Sequence, residues 1–345
     1  MPKPVLSQSA TRNITPLAAP RRLVAADVGG THARVALVGI EHGSEKPVQV
    51  LQYEKYACAD FPGLGAILQT FVATLGDTAV ESGAIACAGY VLDGVIINPN
   101  LPWTVSLGTI RAELGLRSLE FVNDFEAAAY ATQYLEAGDT TPLTPARSGV
   151  SGAPTLVVGP GTGLGAAVRI PTATGCVVLA TEAGHAAFAP STDREIEILR
   201  ILRRKDSHVE NERLLSGPGL VNTYTALCEL RGVKAILGEP AAVTQAALDG
   251  TDPAAREALD VFCGLMGSVI GDLVCLYGPR GGVYLAGGIL PRIKDYLRSS
   301  TFLERFLDKG AMRPVLERVP VMLVEHSQLG VLGAAGWYLA RHGKE

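Results

Sequence analysis

The stretch Leu-Val-Ala-Ala-Asp-Val-Gly-Gly-Thr-His-Ala-Arg-Val-Ala-Leu-Val, residues 23–38, constrains the chain most. Two short apolar runs rich in Val and Ala meet at Gly29, Gly30 and Thr31, a pattern that favours two buried strands folded as a hairpin over one helix. Glycine at such a turn lets a ligand approach the backbone, and free N–H groups together with the Thr31 hydroxyl suit phosphate oxygens. Asp27 interrupts the first run just before the turn, where a carboxylate is costly to bury unless a cation meets it. A phosphate-bound Mg²⁺ with its water shell is one such cation. A plain hairpin whose Asp accepts hydrogen bonds from its own turn is the simpler reading.

The pattern recurs. Residues 155–170, Thr-Leu-Val-Val-Gly-Pro-Gly-Thr-Gly-Leu-Gly-Ala-Ala-Val-Arg-Ile, again give an apolar run, a turn with Gly161, Thr162 and Gly163, and a second apolar run. Two such hairpins predict a duplicated scaffold gripping one phosphate chain from two sides. The second also matches the dinucleotide pattern G-x-G-x-x-G/A, with Glu182 about 20 positions on, as that fingerprint asks. The fingerprint needs a helix directly after its turn, whereas Ala-Val-Arg-Ile-Pro at 167–171 is β-like and stopped by proline, which excludes it. No G-x-x-x-x-G-K-[ST] sequence exists, so a P-loop is excluded too.

Composition narrows the partners. At 345 residues and 48% hydrophobic content the chain can build two domains with ample core. A net charge of −4 argues against nucleic acid. The densest basic run, Arg203-Arg204-Lys205, flanked by Glu195, Glu197 and Asp206, reads as a solvated helix face. Six scattered cysteines without a C-x-x-C pair indicate neither a disulfide nor a zinc framework, and several, lying inside apolar runs, read as reduced core residues. The uncharged stretch 261–271 is too short to span a bilayer, and residues 1–22, with four prolines and no apolar run, are no secretory signal. The expectation is a cytoplasmic protein with no membrane or nucleic-acid partner and a disordered extension over residues 1–21.

Besides the two hairpins, strands are expected at 48–56, 83–90, 119–122, 282–286 and 319–325. Helices are expected at 61–75, 106–114, 125–135, 193–205, 217–230, 240–249, 254–277, 292–298 and 329–341. Residues 98–104, with two prolines and two asparagines, read as a loop that exposes side-chain amides, Asn100 among them. The Pro/Ser/Gly/Thr-rich passage 140–154 is a candidate interdomain boundary. Interspersed strands and helices indicate an α/β chain with mixed sheets.

Asn123 and Asp124 end a strand and open a helix. Asp124 there is either a plain N-cap or, beside two phosphate-type hairpins, the carboxylate that takes a proton from an attacking alcohol in phosphoryl transfer. Glu182, His185 and Glu212 offer carboxylates and an imidazole suited to vicinal sugar hydroxyls. A metal pair fits less well, because the spacing is not H-E-x-x-H and no third ligand is near; for Glu212, next to Arg213, a surface salt bridge is the simple option.

Together these residues resemble the bacterial glucokinase family, of the hexokinase/actin-like superfamily, from around Leu23 onward. The resemblance is carried by Ala-Asp-Val-Gly-Gly-Thr at 26–31, Val-Asn-Asp-Phe at 122–125, Gly-Pro-Gly-Thr-Gly-Leu-Gly at 159–165, Glu-Ala-Gly-His at 182–185, Glu-Arg-Leu-Leu-Ser-Gly-Pro-Gly-Leu at 212–220 and Ala-Gly-Gly-Ile at 286–289. It implies two actin-like, ribonuclease H-like α/β domains with mixed sheets flanked by helices and a cleft between them. The smaller would span 22–134 plus 326–345 and the larger 135–325. It implies ATP-dependent transfer to the 6-hydroxyl of glucose, feeding glycolysis, in a homodimer. Asp124 would be the base, and Asn100, Asn123, Asp124, Glu182, His185 and Glu212 would hold the sugar. Ala26, Asp27, Val28, Gly29, Gly30, Thr31, Gly161, Thr162, Gly163, Gly287 and Gly288 would meet the nucleotide, with Asp27 orienting Mg²⁺ through water. His32 stands where the family turn often has Asn, and the cysteine-rich zinc motif of the related repressor/open-reading-frame/kinase family is missing. A broader hexokinase taking mannose, fructose or a polyphosphate donor, and a non-catalytic sugar sensor of the same fold, are the alternatives.

Overall fold

The computed structural model describes residues 21–41, 46–98, 100–145 and 148–342. The extension expected over 1–21 lies outside these, except Arg21, which already opens the first strand. β1 (Arg21–Val28), β2 (His32–Ile40) and β3 (Val48–Ala57) form an antiparallel meander. After α1 (Leu64–Ala73) come β4 (Ser82–Cys87), the short strands β5 (Tyr90–Leu92), β6 (Val95–Ile97) and β7 (Val105–Ser106), then α2 (Leu107–Glu113), β8 (Ser118–Asn123) and α3 (Asp124–Ala131). The first sheet has the order β3-β2-β1-β4-β8, with β1, β4 and β8 parallel.

A second sheet repeats the arrangement. β9 (Thr140–Pro142) precedes β10 (Thr155–Pro160), β11 (Leu164–Thr172) and β12 (Gly175–Thr181), another antiparallel meander. Five helices follow in part of the chain's second half: α4 (Asp193–Leu202), α5 (Gly217–Leu230), α6 (Pro240–Asp249), α7 (Pro253–Tyr277) and, after β13 (Gly282–Leu285), α8 (Lys294–Ser299). Then come α9 (Phe302–Leu307), α10 (Arg313–Leu316), β14 (Val321–Val324) and α11 (Leu329–His342). The order is β12-β11-β10-β13-β14-β9, with β10, β13 and β14 parallel. Three antiparallel strands followed by two parallel ones thus occur twice, which is the duplication the hairpins predicted.

Strand alternation sorts the core. Val24, Ala26 and Val28 face the side covered by α1 and α2, while Leu23 and Ala25 face the side covered by α3 and α11. α3 is built of alanine because it lies between layers. Ala127 and Ala131 pack towards the first sheet, and Ala128 and Ala129 towards Val157 and Ala167 of the second. Gly333 of α11 abuts the Ala127 backbone so closely that a Cβ would collide with it.

One expectation needs correcting. Glu195 is not on a solvated face: it is 1% exposed and held by Arg305 at 2.8 and 3.2 Å, because an ionised carboxylate enters a core only with such a partner. The helix expected over 254–277 runs from Pro253 to Tyr277, long and apolar enough to cross a membrane by length and composition, and most of its apolar positions are buried in the second core. Within the passage 140–154, residues 140–142 form a strand paired with β14.

Candidate active site

Parallel pairing aligns the carboxyl ends of three strands in the first sheet: Val28 lies beside Cys87, and Cys87 beside Asn123. Crevices at such ends are where open α/β sheets bind ligands. Asp27 and Asp124 are therefore neighbours in space although 97 positions apart in sequence. Asn123, not Asp124, caps α3: its side-chain oxygen accepts the Phe125 and Glu126 N–H groups at 2.9 and 3.2 Å. Capping by Asn123 leaves Asp124 as the first helical residue, half-buried and held by one N–H bond from Phe125 at 3.0 Å. Burial, then the charge of Asp27, then more weakly that of Glu182, push its carboxyl up to about 6. A carboxylate with that value sits in a good range for a general base. The Phe125 ring fills the space beside Gly159 and Gly165 of the second hairpin, so those glycines are what let α3 dock there.

At the first turn, the Gly29 N–H donates to the His32 carbonyl at 3.0 Å and is spent on closing the hairpin. Gly30 and Thr31 remain exposed. A Cβ on Gly30 would meet the Asn100 carbonyl at 2.5 Å, so Asn100 of the following loop packs against the turn. Asn98 holds that loop, its Oδ1 accepting the Asn100 N–H at 2.9 Å. Ala26 and Val28 do not offer side chains to a nucleotide: alternation points both into the core, 1% and 2% exposed.

The cation that meets Asp27 within the protein is Arg34, its Nη1 3.2 Å from Oδ2. The three-residue turn sets the two directly opposite one another in register, a pairing that counting across the hairpin reads from the sequence. Burial raises the Asp27 carboxyl from its ordinary value and Arg34 opposes that rise. The same carboxylate packs against Gly330 at the start of α11, where a Cβ would collide with it. The His32 imidazole is held below its usual value, by burial first and then by Lys55 and Arg34.

At the second turn, the Gly161 N–H closes the hairpin onto the Gly163 carbonyl at 2.8 Å, and the Gly161 carbonyl accepts the Gly217 N–H at 2.9 Å. The turn carries no charge of its own. Glu212 supplies one, its Oε2 accepting the Leu164 N–H at 3.1 Å, and Gly163 lies so near that a Cβ would sit 2.6 Å from that oxygen. Gly163 thus seats the carboxylate as well as shaping the turn. His185 lies between two acids, Nδ1 3.8 Å from Glu212 and Nε2 3.9 Å from Glu182. Asn211 ties the two segments together, donating to the Ala183 and Ala186 carbonyls at 3.2 and 2.9 Å. Arg213 pairs with Asp206 at 2.8 Å, so the simple salt bridge considered for Glu212 is not made.

Beyond Gly161 lies a cavity of about 400 Å³ whose lining includes Gly217, Gly288, Glu239 and Arg292. Gly287 does not open into it: at φ 137° it packs against the Pro160 carbonyl, where only glycine fits. Glu239 and Arg292 carried no motif and were not among the expected site residues.

The glucokinase family model matches residues 24–341. A glucokinase-like protein of Xylella fastidiosa is 48% identical over 317 residues, covering 92% of this chain and 94% of its own length. A glucokinase of Paramagnetospirillum magneticum is 42% identical over 319 residues, covering 91% and 96%. The crystal structure of a glucokinase from an Antarctic psychrotroph, 33% identical, superposes with a TM-score of 0.81 over 92% of this chain and 98% of that one. With the doubled sheet, the two glycine turns and Asp124 at their junction, these matches establish that the chain belongs to the glucokinase family.

Proposed function

We propose that the protein transfers the γ-phosphoryl group of ATP to the 6-hydroxyl of glucose, with Asp124 as general base. The observation that carries this reading is the position of Asp124. It stands at the aligned strand ends, near Asp27 and Glu182, with its carboxyl raised to about 6, beside two turns built to take phosphate. The sugar lies between Asp124 and the cluster of Glu182, His185 and Glu212, with the Asn100 and Asn123 side-chain amides adding donors. Ionised carboxylates accept directed hydrogen bonds from vicinal hydroxyls, and Glu212 is already held in place by Leu164.

The donor's phosphates meet the exposed Gly30, Thr31 and Thr162, and the nucleoside extends past Gly161 towards Gly288. Asp124 removes the proton from the 6-hydroxyl as its oxygen attacks, which needs no other protein base. Asp27 keeps Oδ1 free of Arg34, which suits Mg²⁺, an ion that retains most of its waters and takes one or two carboxylates besides substrate phosphates. Bound with the donor, Mg²⁺ neutralises phosphate charge.

The lobes 22–134 with 326–345 and 135–325 close on the substrates and exclude water, which protects the donor from hydrolysis. α3, packed on both sheets, is the natural pivot. The six cysteines, none in a disulfide, support a reducing, cytoplasmic setting, and the homodimer that the glucokinase resemblance implies belongs to the same reading. A sugar sensor has no use for a base of raised pKa between two phosphate turns, which favours catalysis. A coupled assay of glucose 6-phosphate formation tests the reading: turnover with ATP and glucose, and much lower kcat/KM for mannose and fructose, are expected. Absence of turnover with any hexose would overturn it.

A further inference from the structure

The cavity beside the second turn is of a size that holds a nucleoside, within the range of about 300–1,000 Å³ of small-molecule pockets. Its walls are mostly glycine, proline and apolar residues, and the Thr244 hydroxyl is spent on the Pro240 carbonyl at 2.8 Å. Two charged side chains remain, Glu239 and Arg292, both exposed to the cavity mouth. Glu239 precedes α6 but does not cap it, and among the described residues neither side chain makes a hydrogen bond or ion pair. An ionised carboxylate only accepts. It repels phosphate and requires a neighbour that donates.

On a nucleoside triphosphate whose phosphates lie at Gly161, the part that reaches Glu239 and donates is the ribose, whose vicinal hydroxyls match the two carboxylate oxygens. We infer that Glu239 selects the phosphoryl donor by accepting hydrogen bonds from the 2′- and 3′-hydroxyls of a ribonucleoside, and so disfavours deoxynucleotides and inorganic polyphosphate. Arg292, on the same cavity, balances the carboxylate and faces the base, where a guanidinium stacks well. This inference rests on the donor reading above.

The test measures glucose 6-phosphate formation with ATP, 2′-deoxy-ATP, 3′-deoxy-ATP and polyphosphate, for wild type and Glu239→Gln. The wild type is expected to favour ATP over either deoxynucleotide by roughly 10- to 100-fold in kcat/KM, the scale of one hydrogen bond to a charged group. In Glu239→Gln the preference collapses through a higher KM for ATP, while kcat and the KM for glucose hold, and polyphosphate becomes a relatively better donor. Unchanged discrimination in the variant overturns the inference, including the case where only thermal stability moves and Glu239 is merely a charge at a helix end. A wild type active with ATP yet indifferent to the ribose hydroxyls overturns the role of Glu239 alone. A wild type inactive with every nucleotide overturns the donor reading as well.

Discussion

The two glycine turns share strand order and hairpin geometry, yet they handle charge in opposite ways. At the first, the carboxylate is part of the strand: Asp27 is countered by Arg34 directly across the hairpin and crowded by Gly330, and the Asn100 carbonyl abuts Gly30. At the second, the strand is neutral and the carboxylate arrives from 48 residues away, Glu212 reaching the Leu164 N–H, while Gly161 stays open to a cavity. A duplicated scaffold has thus been divided in use. The first turn brings a fixed charge beside Asp124 and raises its pKa, and the second borrows its charge from Glu212 on one side while Gly161 opens to the cavity on the other.

The largest effect that tests this division is on Asp124. Asp124→Ala should lower kcat by about 10²- to 10⁴-fold, the usual worth of a general base, with the glucose Kd changed only a few-fold by calorimetry. Glu212→Gln comes next: the KM for glucose should rise roughly 10- to 100-fold, as expected for a lost charged acceptor, with the KM for ATP little moved. A response in ATP alone would join Glu212 to the donor side and blur the contrast.

The turns themselves separate by a smaller margin. Gly30→Ala forces a Cβ against the Asn100 carbonyl and should lower Tm by several degrees, on the scale of about 1–3 kcal/mol for overpacking. Gly161→Ala meets nothing within 4 Å and should leave Tm nearly unchanged. Equal shifts would mean that Asn100 does not pack against the first turn.

The smallest effects are read in pH. The base must be ionised, so kcat/KM should be level at alkaline pH and fall tenfold per unit below about 6. The sign for stability is opposite to that of a salt-bridged acid. Because the folded pKa of Asp124 lies above the ordinary 3.8 of an aspartate, the native state binds the extra proton between 3.8 and about 6, and stability falls as pH rises through that window. Asp124→Asn should therefore raise Tm at pH 8 by a few degrees and leave it unchanged below pH 4.

Much of this architecture was legible because its signals are local. Apolar runs around Gly29–Thr31 and Gly161–Gly163 located both hairpins, and Pro240 and Gly250 bracket α6 where it was expected. The small β5–β7 sheet was not legible, because its strands are two or three residues long and Tyr90 and Leu92 are 60% and 56% exposed. β12 was missed since its outward residues, Val177 and Leu179, are as apolar as its inward ones, which erases alternation. Of the site, the charge-bearing motifs stood out, whereas Glu239 and Arg292 acquire meaning only from the cavity they share. Arg34 lay within reach of register counting, and the buried partnership of Glu195 with Arg305 joins residues 110 apart, beyond any local pattern.

The most direct measurement is a crystal structure of the protein with glucose and a non-hydrolysable ATP analogue, reading the distance from the Asp124 carboxylate to the 6-hydroxyl oxygen. The account predicts hydrogen-bond contact, about 2.6–3.2 Å, with the γ-phosphate on the far side of that oxygen between the two turns. A sugar bound with its 6-hydroxyl turned away from Asp124, or phosphates lying clear of both turns, would contradict it.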